Sequence, residues 1–276
     1  MPEMPEVETI RRYLQRSSII GQKVQSVSIF FDKIISGCPA FLAENWLKGQ
    51  QLKEVKRKGK LLILKFEERT VLVHLRMTGQ FKVSHSEISK NKHEHVRIKF
   101  KNGLALCYED QRKFGRLYFL ENPEIKLTEI GIEPLTDEFT IPKFIAALKG
   151  KNREIKAVLL DQSCIAGLGN IYVDESLWHA KIHPKTLAAN LTTKAIEVLY
   201  QSIQEVIAHA IELKGTSLGT HSSNYHSPDG TTGEHQLQLK IFRKQGQPCP
   251  RCETPILKIR CAQRGTHFCP RCQVTS

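Results

Sequence analysis

Four of the eight cysteines in this chain stand in a pattern that can hold a metal. Cys249-Pro250-Arg251-Cys252 and Cys269-Pro270-Arg271-Cys272 form two C-x-x-C knuckles with sixteen residues between them. One such knuckle could be a redox pair. Two at this separation let four thiolates converge on a single tetrahedral Zn²⁺. The protein fills all four positions, so the ion is expected to be structural, and no catalytic metal is expected. It folds a terminal module too small to bury a core of its own. Cys38, Cys107, Cys164 and Cys261 lack regular spacing and read as small buried apolar groups.

A second pattern is Gly167-Leu168-Gly169-Asn170, two glycines just before a helix start. Tight turns there expose backbone N–H groups, an arrangement that takes phosphate. Asn170 can cap the helix or bond a phosphate itself; a plain helix–turn–helix corner is the bland alternative. The cysteine module is also basic. From Arg243 to the end, seven Lys and Arg face one acid, Glu253. Ile256 to Arg260 alternates partly as a strand does, and Arg264-Gly265-Thr266-His267 reads as a hairpin turn that puts an arginine at the tip of a ribbon.

The whole chain bears the same sign. Its 276 residues carry 41 Lys and Arg against 28 Asp and Glu, a net charge of +13. Such an excess points to a polyanion, with nucleic acid ahead of an anionic membrane surface. No apolar run approaches the ~20 residues that span a bilayer. The acidic start MPEMPEVETI lacks a signal-peptide pattern, so secretion is not expected and a cytoplasmic location is.

The elements that must position these residues change character along the chain. Residues 5–15 read as a helix, with Pro5 in its first turn and Val7, Ile10 and Leu14 on one face. Short apolar runs at 24–31, 52–56, 61–66, 70–75, 80–84, 95–100, 104–109 and 115–120 read as strands of a sandwich or barrel. From 141 the longer period takes over, at 141–149, 153–161, 170–179 and 192–213. Residues 214–236 read as a long functional loop.

Together these stretches resemble one family, the formamidopyrimidine-DNA glycosylases. The resemblance covers nearly the whole chain. It is carried by Pro2-Glu3-Met4-Pro5-Glu6-Val7-Glu8-Thr9, Lys58-Gly59-Lys60, His74-Leu75-Arg76-Met77-Thr78-Gly79, Asp110-Gln111-Arg112-Lys113-Phe114-Gly115, Gly167-Leu168-Gly169-Asn170-Ile171-Tyr172 and Arg264-Gly265-Thr266-His267. It implies an α+β multidomain chain: an N-terminal β-sandwich with an N-terminal helix (1–135), a helix–two-turns–helix domain (136–240) that includes a lesion loop at 214–236, and a C-terminal β-ribbon zinc finger (241–276). It also implies damaged double-stranded DNA as partner, held in a cleft, a monomer, no membrane, and a bacterial setting close to the nucleoid.

The residues make chemical sense of this. If Met1 is removed, Pro2 becomes a terminal secondary amine. Free α-amino groups have a pKa of about 7.7–8.0, so a fair fraction is nucleophilic near neutrality. Such an amine can attack the sugar C1′ and displace a damaged base as an iminium. The resemblance makes Glu3 the acid, Glu6 its supporting residue, Lys60 a phosphate contact that assists elimination, and Arg264 the residue of the second, δ, elimination. A base inside a duplex must be extruded and its space filled. Met77, Arg112 and Phe114 match the family's three space-filling residues. His93, Asn152, Arg153, Lys156 and Asn170 are further candidate DNA contacts.

In one region the chain departs from the family pattern. Thr216-Ser217-Leu218 runs into Gly219-Thr220-His221 where relatives have Arg-Asp-aromatic, and Glu234-His235-Gln236 replaces an aromatic before a Gln. Two alternatives stay open: an endonuclease VIII-like enzyme for oxidised pyrimidines, and a zinc-finger DNA-binding protein without catalysis. The intact Pro2-Glu3 pair with Lys60 speaks against the second, and Met77 with Arg112 and Phe114 against the first.

Overall fold

The computed structural model describes residues 2–218, 225, 227–228 and 230–274. Met1 and the divergent Gly219-Thr220-His221 lie outside the described residues, as does Thr275-Ser276. Two compact units emerge: Met1–Thr128 with Leu213–Glu234, and Glu129–Glu212 with His235–Ser276.

The first unit opens with helix α1 (Met4–Arg16), which buries Val7, Ile10 and Leu14 as their shared face requires. Strand β1 (Val24–Ile29), the two-residue β2 (Ile35–Ser36) and helix α2 (Ala40–Leu47) follow. Next come β3 (Leu52–Lys58), β4 (Leu61–Phe66), β5 (Thr70–His74), β6 (Gly79–His85), β7 (Glu94–Phe100), β8 (Leu104–Asp110) and β9 (Arg116–Phe119), then α3 (Pro123–Thr128). One sheet has the order β1-β7-β8-β6 and the other β2-β9-β5-β4-β3. Apolar residues of both sheets, among them Val27, Phe81 and Ile98 from one and Leu62, Val73 and Leu117 from the other, share one core with α1. This is the expected sandwich. β2 and α2 are additions that sequence periodicity does not show, since a two-residue strand has no period and α2 leaves Phe41 and Leu42 exposed.

The second unit holds α4 (Ile141–Leu148), α5 (Ile155–Leu160), α6 (Asn170–His179) and the long α7 (Thr193–Glu212). Its ribbon is β10 (Leu257–Cys261) paired antiparallel with β11 (Arg264–Phe268). Here the ribbon corrects the expected turn. Ala262 and Gln263, at φ 49° and 55°, make the reversal, while Arg264–His267 belong to the second strand. Two successive positive φ values suit a two-residue hairpin because they follow the twist of the strands. No described helix is long and apolar enough to cross a membrane.

Residues 213–234 cluster with the N-terminal unit, because Thr216 bonds to Glu6 and Tyr225 packs on the sandwich core. The cysteine module clusters with the helices.

Candidate active site and nucleic-acid interface

Pro2 and Glu3 are buried at the entrance of α1. Glu3 is the extended residue before the helix, and Pro5 fills the first turn without losing a hydrogen bond. The buried Glu6 carboxylate holds this entrance from both sides. Its Oε2 accepts the Glu3 N–H at 2.7 Å, and its Oε1 accepts the Thr216 N–H at 2.7 Å. One side chain thus ties the N-terminal segment to the neck of the 214–236 loop. Ser217 closes that neck, since its Oγ donates to the Tyr225 carbonyl at 2.7 Å and accepts the Gly233 N–H at 2.9 Å.

Lys60 sits in the tight β3–β4 reversal beside Gly59, whose φ of 55° a glycine adopts without strain. Lys60 is buried. Arg57 braces the turn by donating to the Gly59 carbonyl at 2.9 Å, and it reaches back to Glu8 on α1 at 3.1 Å. Burial opposes ionisation of Glu8, but Arg11 and Arg57 outweigh it and hold the carboxyl down at about 2. The Lys60 turn is therefore fastened to the helix that follows Glu3.

His74 pairs with Leu61 across β5 and β4, next to Lys60. Burial and the nearby cations Arg76, Lys60 and Lys126 push its pKa down to about 3. The ring is neutral, and its Nδ1 accepts the Arg76 N–H at 3.1 Å. The proton then sits on Nε2, a neutral donor beside a lysine, which suits an anionic oxygen. In the sequence His74 shows no role beyond opening the His74–Gly79 motif; its place next to Lys60 exists only once the strands pair.

Met77 and Phe114 are 40% and 49% exposed, so core packing does not account for them. Arg112 lies over the Phe114 ring at 4.7 Å. His93 is half-buried, and its N–H bonds to Asn91 Oδ1 at 2.8 Å.

In the second unit, Gln162 braces the glycine loop. Its Oε1 accepts the Gly167 N–H at 2.9 Å, and its Nε2 donates to the Leu168 carbonyl at 2.9 Å. Gly169, not Asn170, caps α6. The Asn170 amide instead donates to the Gly265 carbonyl of the ribbon at 2.9 Å. That contact seats the exposed Arg264 next to the start of α6. Asn152 and Arg153 are exposed ahead of α5, with Arg153 paired to Asp161 at 2.9 Å.

Lys156 is a correction. It is 0% exposed, and its Nζ lies 2.5 Å from Asp174 on α6. A lysine so enclosed cannot touch a phosphate. Asp174 also accepts the His267 N–H at 2.9 Å, so the pair fastens α5, α6 and the ribbon together. Removing one partner leaves a buried charge uncompensated, at a cost of about 3–5 kcal/mol. Lys156→Met is thus expected to destabilise the chain by that amount in denaturant unfolding, and Lys156→Met with Asp174→Asn by clearly less. A loss below about 1 kcal/mol in the single variant would mean that the pair is no more than an exposed one.

The four knuckle sulfurs lie within 4.8 Å of one another, and no disulfide joins any of the eight cysteines. Sγ–Sγ distances of 3.4 Å (Cys252–Cys269 and Cys252–Cys272) and 4.0 Å (Cys249–Cys272) bracket the edge of about 3.8 Å that Zn–S bonds of about 2.3 Å require. The set fits one structural Zn²⁺. Helix α6 supports it from outside: the Trp178 indole N–H donates to Cys249 Sγ at 3.4 Å, and Arg251 stacks on the same ring at 4.0 Å. Glu175 accepts the N–H groups of Lys240, Ile241 and Phe242 at 2.8, 3.0 and 2.9 Å. Sequence reading missed Asp174, Glu175 and Trp178. Their signal was two acids inside the apolar run Ile171–Trp178, which is buried throughout.

Comparison with known proteins places these features. Residues 1–117 match the formamidopyrimidine-DNA glycosylase N-terminal domain, 130–222 the formamidopyrimidine-DNA glycosylase H2TH domain, and 246–274 a zinc finger found in FPG and IleRS. The chain is 42% identical to the formamidopyrimidine-DNA glycosylase of Protochlamydia amoebophila, over 99% of both chains. It is 40% identical to that of Enterococcus faecalis, over 99% of this chain and 97% of the other. Among solved structures it is similar to a Lactococcus lactis FPG mutant in complex with Fapy-dG containing DNA, with a TM-score of 0.90 and 38% identity over 99% of each chain. It is also similar to MutM in complex with carbocyclic 8-oxo-G containing DNA, with a TM-score of 0.89 and 38% identity over 99% of each.

Proposed function

We infer the reaction from one premise: this chain belongs to the formamidopyrimidine-DNA glycosylase family, and its N-terminus carries the residues for that chemistry. It is a base-excision repair enzyme, both glycosylase and abasic-site lyase. Acting as a monomer on damaged duplex DNA, it removes oxidised purines, 8-oxoguanine and formamidopyrimidines, in the bacterial cytoplasm. Three functional segments divide the work: the catalytic sandwich 1–135, the DNA-binding helices 136–240 and the zinc finger 241–276.

Once Met1 is removed, the Pro2 nitrogen attacks C1′ of the damaged nucleotide. The C1′–N bond breaks, and its electron pair leaves with the base. Glu3 supplies a proton to the sugar ring oxygen or the leaving base. The attacking nitrogen gives up its proton, the C1′–O4′ bond opens with its electron pair going to the ring oxygen, and the nitrogen lone pair completes a C1′=N iminium. This acidifies the C2′ proton, whose loss expels the 3′ phosphate. Lys60, with His74 beside it, holds that phosphate, and Arg264 assists the δ elimination on the 5′ side. Met77, Arg112 and Phe114 fill the space left by the extruded nucleotide, with Arg112 bonding the orphaned base. His93, Asn152, Arg153 and Asn170 hold the backbone.

The observation that carries this reading is the buried Glu6 carboxylate, which fixes the Glu3 backbone and the neck of the 214–236 loop at once. A frayed polar terminus would need neither contact. The acid role is tested with Glu3→Gln. Base release from an 8-oxoguanine duplex is expected to fall by about 10²–10⁴, the usual worth of a positioned acid. Strand cleavage at a preformed abasic site, where no base has to leave, falls far less. Equal losses on both substrates would remove Glu3 from the base-release step.

A further inference from the structure

Two connections in the first unit cross from one sheet to the other. Leu75–Thr78 joins β5 to β6 and carries Met77; Gln111–Gly115 joins β8 to β9 and carries Arg112 and Phe114. Each contains a side-chain-bearing residue in the left-handed region, Arg76 at φ 55° and Lys113 at φ 59°. Such backbone persists only where the surroundings over-determine it.

Asp110, the last residue of β8, supplies that determination. It is 0% exposed. Its Oδ1 accepts from Thr78 Oγ1 at 2.5 Å, in the first connection, and from the Arg112 N–H at 3.1 Å, in the second. Its Oδ2 accepts the Gly115 N–H at 2.7 Å, and Thr78 Oγ1 also meets the Arg112 N–H at 3.0 Å. The Asp110 backbone N–H donates to the His93 carbonyl at 2.9 Å. The two connections also press on one ring. A Cβ at Gly79 or Gly115 would come within 2.3 or 1.8 Å of the Tyr108 hydroxyl, so only glycine allows both to close on it.

We propose that Asp110 is a positioning residue that locks the Met77 connection to the Arg112–Phe114 connection, so that the three side chains enter a duplex as one rigid unit. This rests on the reading of those three as space-filling residues. The link between the two connections is the shared buried carboxylate, which takes the Thr78 hydroxyl from the one and the Arg112 and Gly115 N–H groups from the other. Aspartate suits the task because its two oxygens take all three donors, whereas an asparagine amide would turn a donor toward one of them.

The test uses the whole protein with Asp110→Asn, Thr78→Val, Met77→Ala and Phe114→Ala. Two substrates are compared: an 8-oxoguanine duplex, which requires extrusion, and single-stranded DNA with an abasic site, which does not. Losing a charge-assisted bond to a buried carboxylate corresponds to roughly 10–100-fold in rate. Asp110→Asn is expected to lower kcat on the duplex by that factor without raising KM, because the buried carboxylate meets only donors of its own chain and its loss loosens the unit without removing a surface contact. Cleavage of the single strand stays within about twofold. Thr78→Val, which leaves Asp110 in place, shows the same split with a smaller loss and covers the case in which Asp110→Asn folds poorly. Equal losses on both substrates in both variants would mean a general folding role and overturn the proposal. If Met77→Ala and Phe114→Ala lower duplex excision while Asp110→Asn and Thr78→Val do not, the positioning role fails alone. If Met77→Ala and Phe114→Ala leave duplex excision intact, the space-filling reading fails, and the proposal with it.

Discussion

Pro2→Gly is expected to abolish the borohydride-trapped complex that the unaltered chain forms with 8-oxoguanine duplex, to within about a hundredth of its yield. The substitution leaves an amine at the terminus, so the size of the loss needs a reason. The pyrrolidine ring ties the terminal nitrogen back to its own side chain, which fixes the direction of its lone pair and makes the amine secondary. Glycine leaves a freely rotating primary amine on the segment that Glu6 otherwise holds. Misplacing a reacting atom by about 1 Å costs roughly 10²-fold. Base release is expected to fall in parallel, because attack and departure belong to one step. Duplex binding, carried by cations elsewhere in the chain, is expected to stay unchanged. Trapping at the normal yield would take Pro2 out of the reaction.

The second large effect is expected at the zinc site. Cys249→Ser removes a buried ligand and, with it, the acceptor for the Trp178 indole. Structural zinc supplies about 10–16 kcal/mol of folding free energy to modules of this kind. Zinc content is therefore expected to drop from one ion per chain to a small fraction, with unfolding confined to the ribbon. Trp178 is one of two tryptophans, so its emission is expected to shift as its neighbours are lost. DNA affinity falls, and the slope of log K against log salt becomes shallower by about 0.9 for each phosphate contact that goes with the ribbon. Unchanged zinc content and affinity would contradict the structural role of the site.

What could be read from the sequence was what is local in the chain. The knuckles announce themselves because each pair of ligands grips from one tight turn. The strand runs were legible because a half-buried strand alternates, and α1 because Pro5, Glu6 and its apolar face agree. Features built from distant partners were not legible. Lys156 reads as a surface cation because its neutralising partner, Asp174, lies eighteen residues on, in another helix. The link from Glu6 to Thr216 spans 210 residues. His74 becomes a candidate only when β5 pairs with β4 and brings it to Lys60. The ribbon turn lies three residues before the expected one, since Arg-Gly-Thr-His has turn composition while Ala262-Gln263 does not.

The basic excess also acquires places. Part of it is structural: Lys156 neutralises Asp174, Arg97 holds Glu94 and Arg57 holds Glu8. Arg112, Arg153 and Arg264 are exposed, and in the proposed reaction they meet DNA.

The proposed reaction turns on a covalent bond between the terminal proline nitrogen and the sugar. The most direct measurement is mass spectrometry of the peptides from a borohydride-trapped complex with 8-oxoguanine duplex. The predicted result is a single modified peptide that begins at Pro2, lacks Met1 and carries the reduced sugar on its terminal nitrogen. A sugar found on Lys60 or another lysine, or a Pro2 peptide recovered unmodified from trapped material, would contradict it.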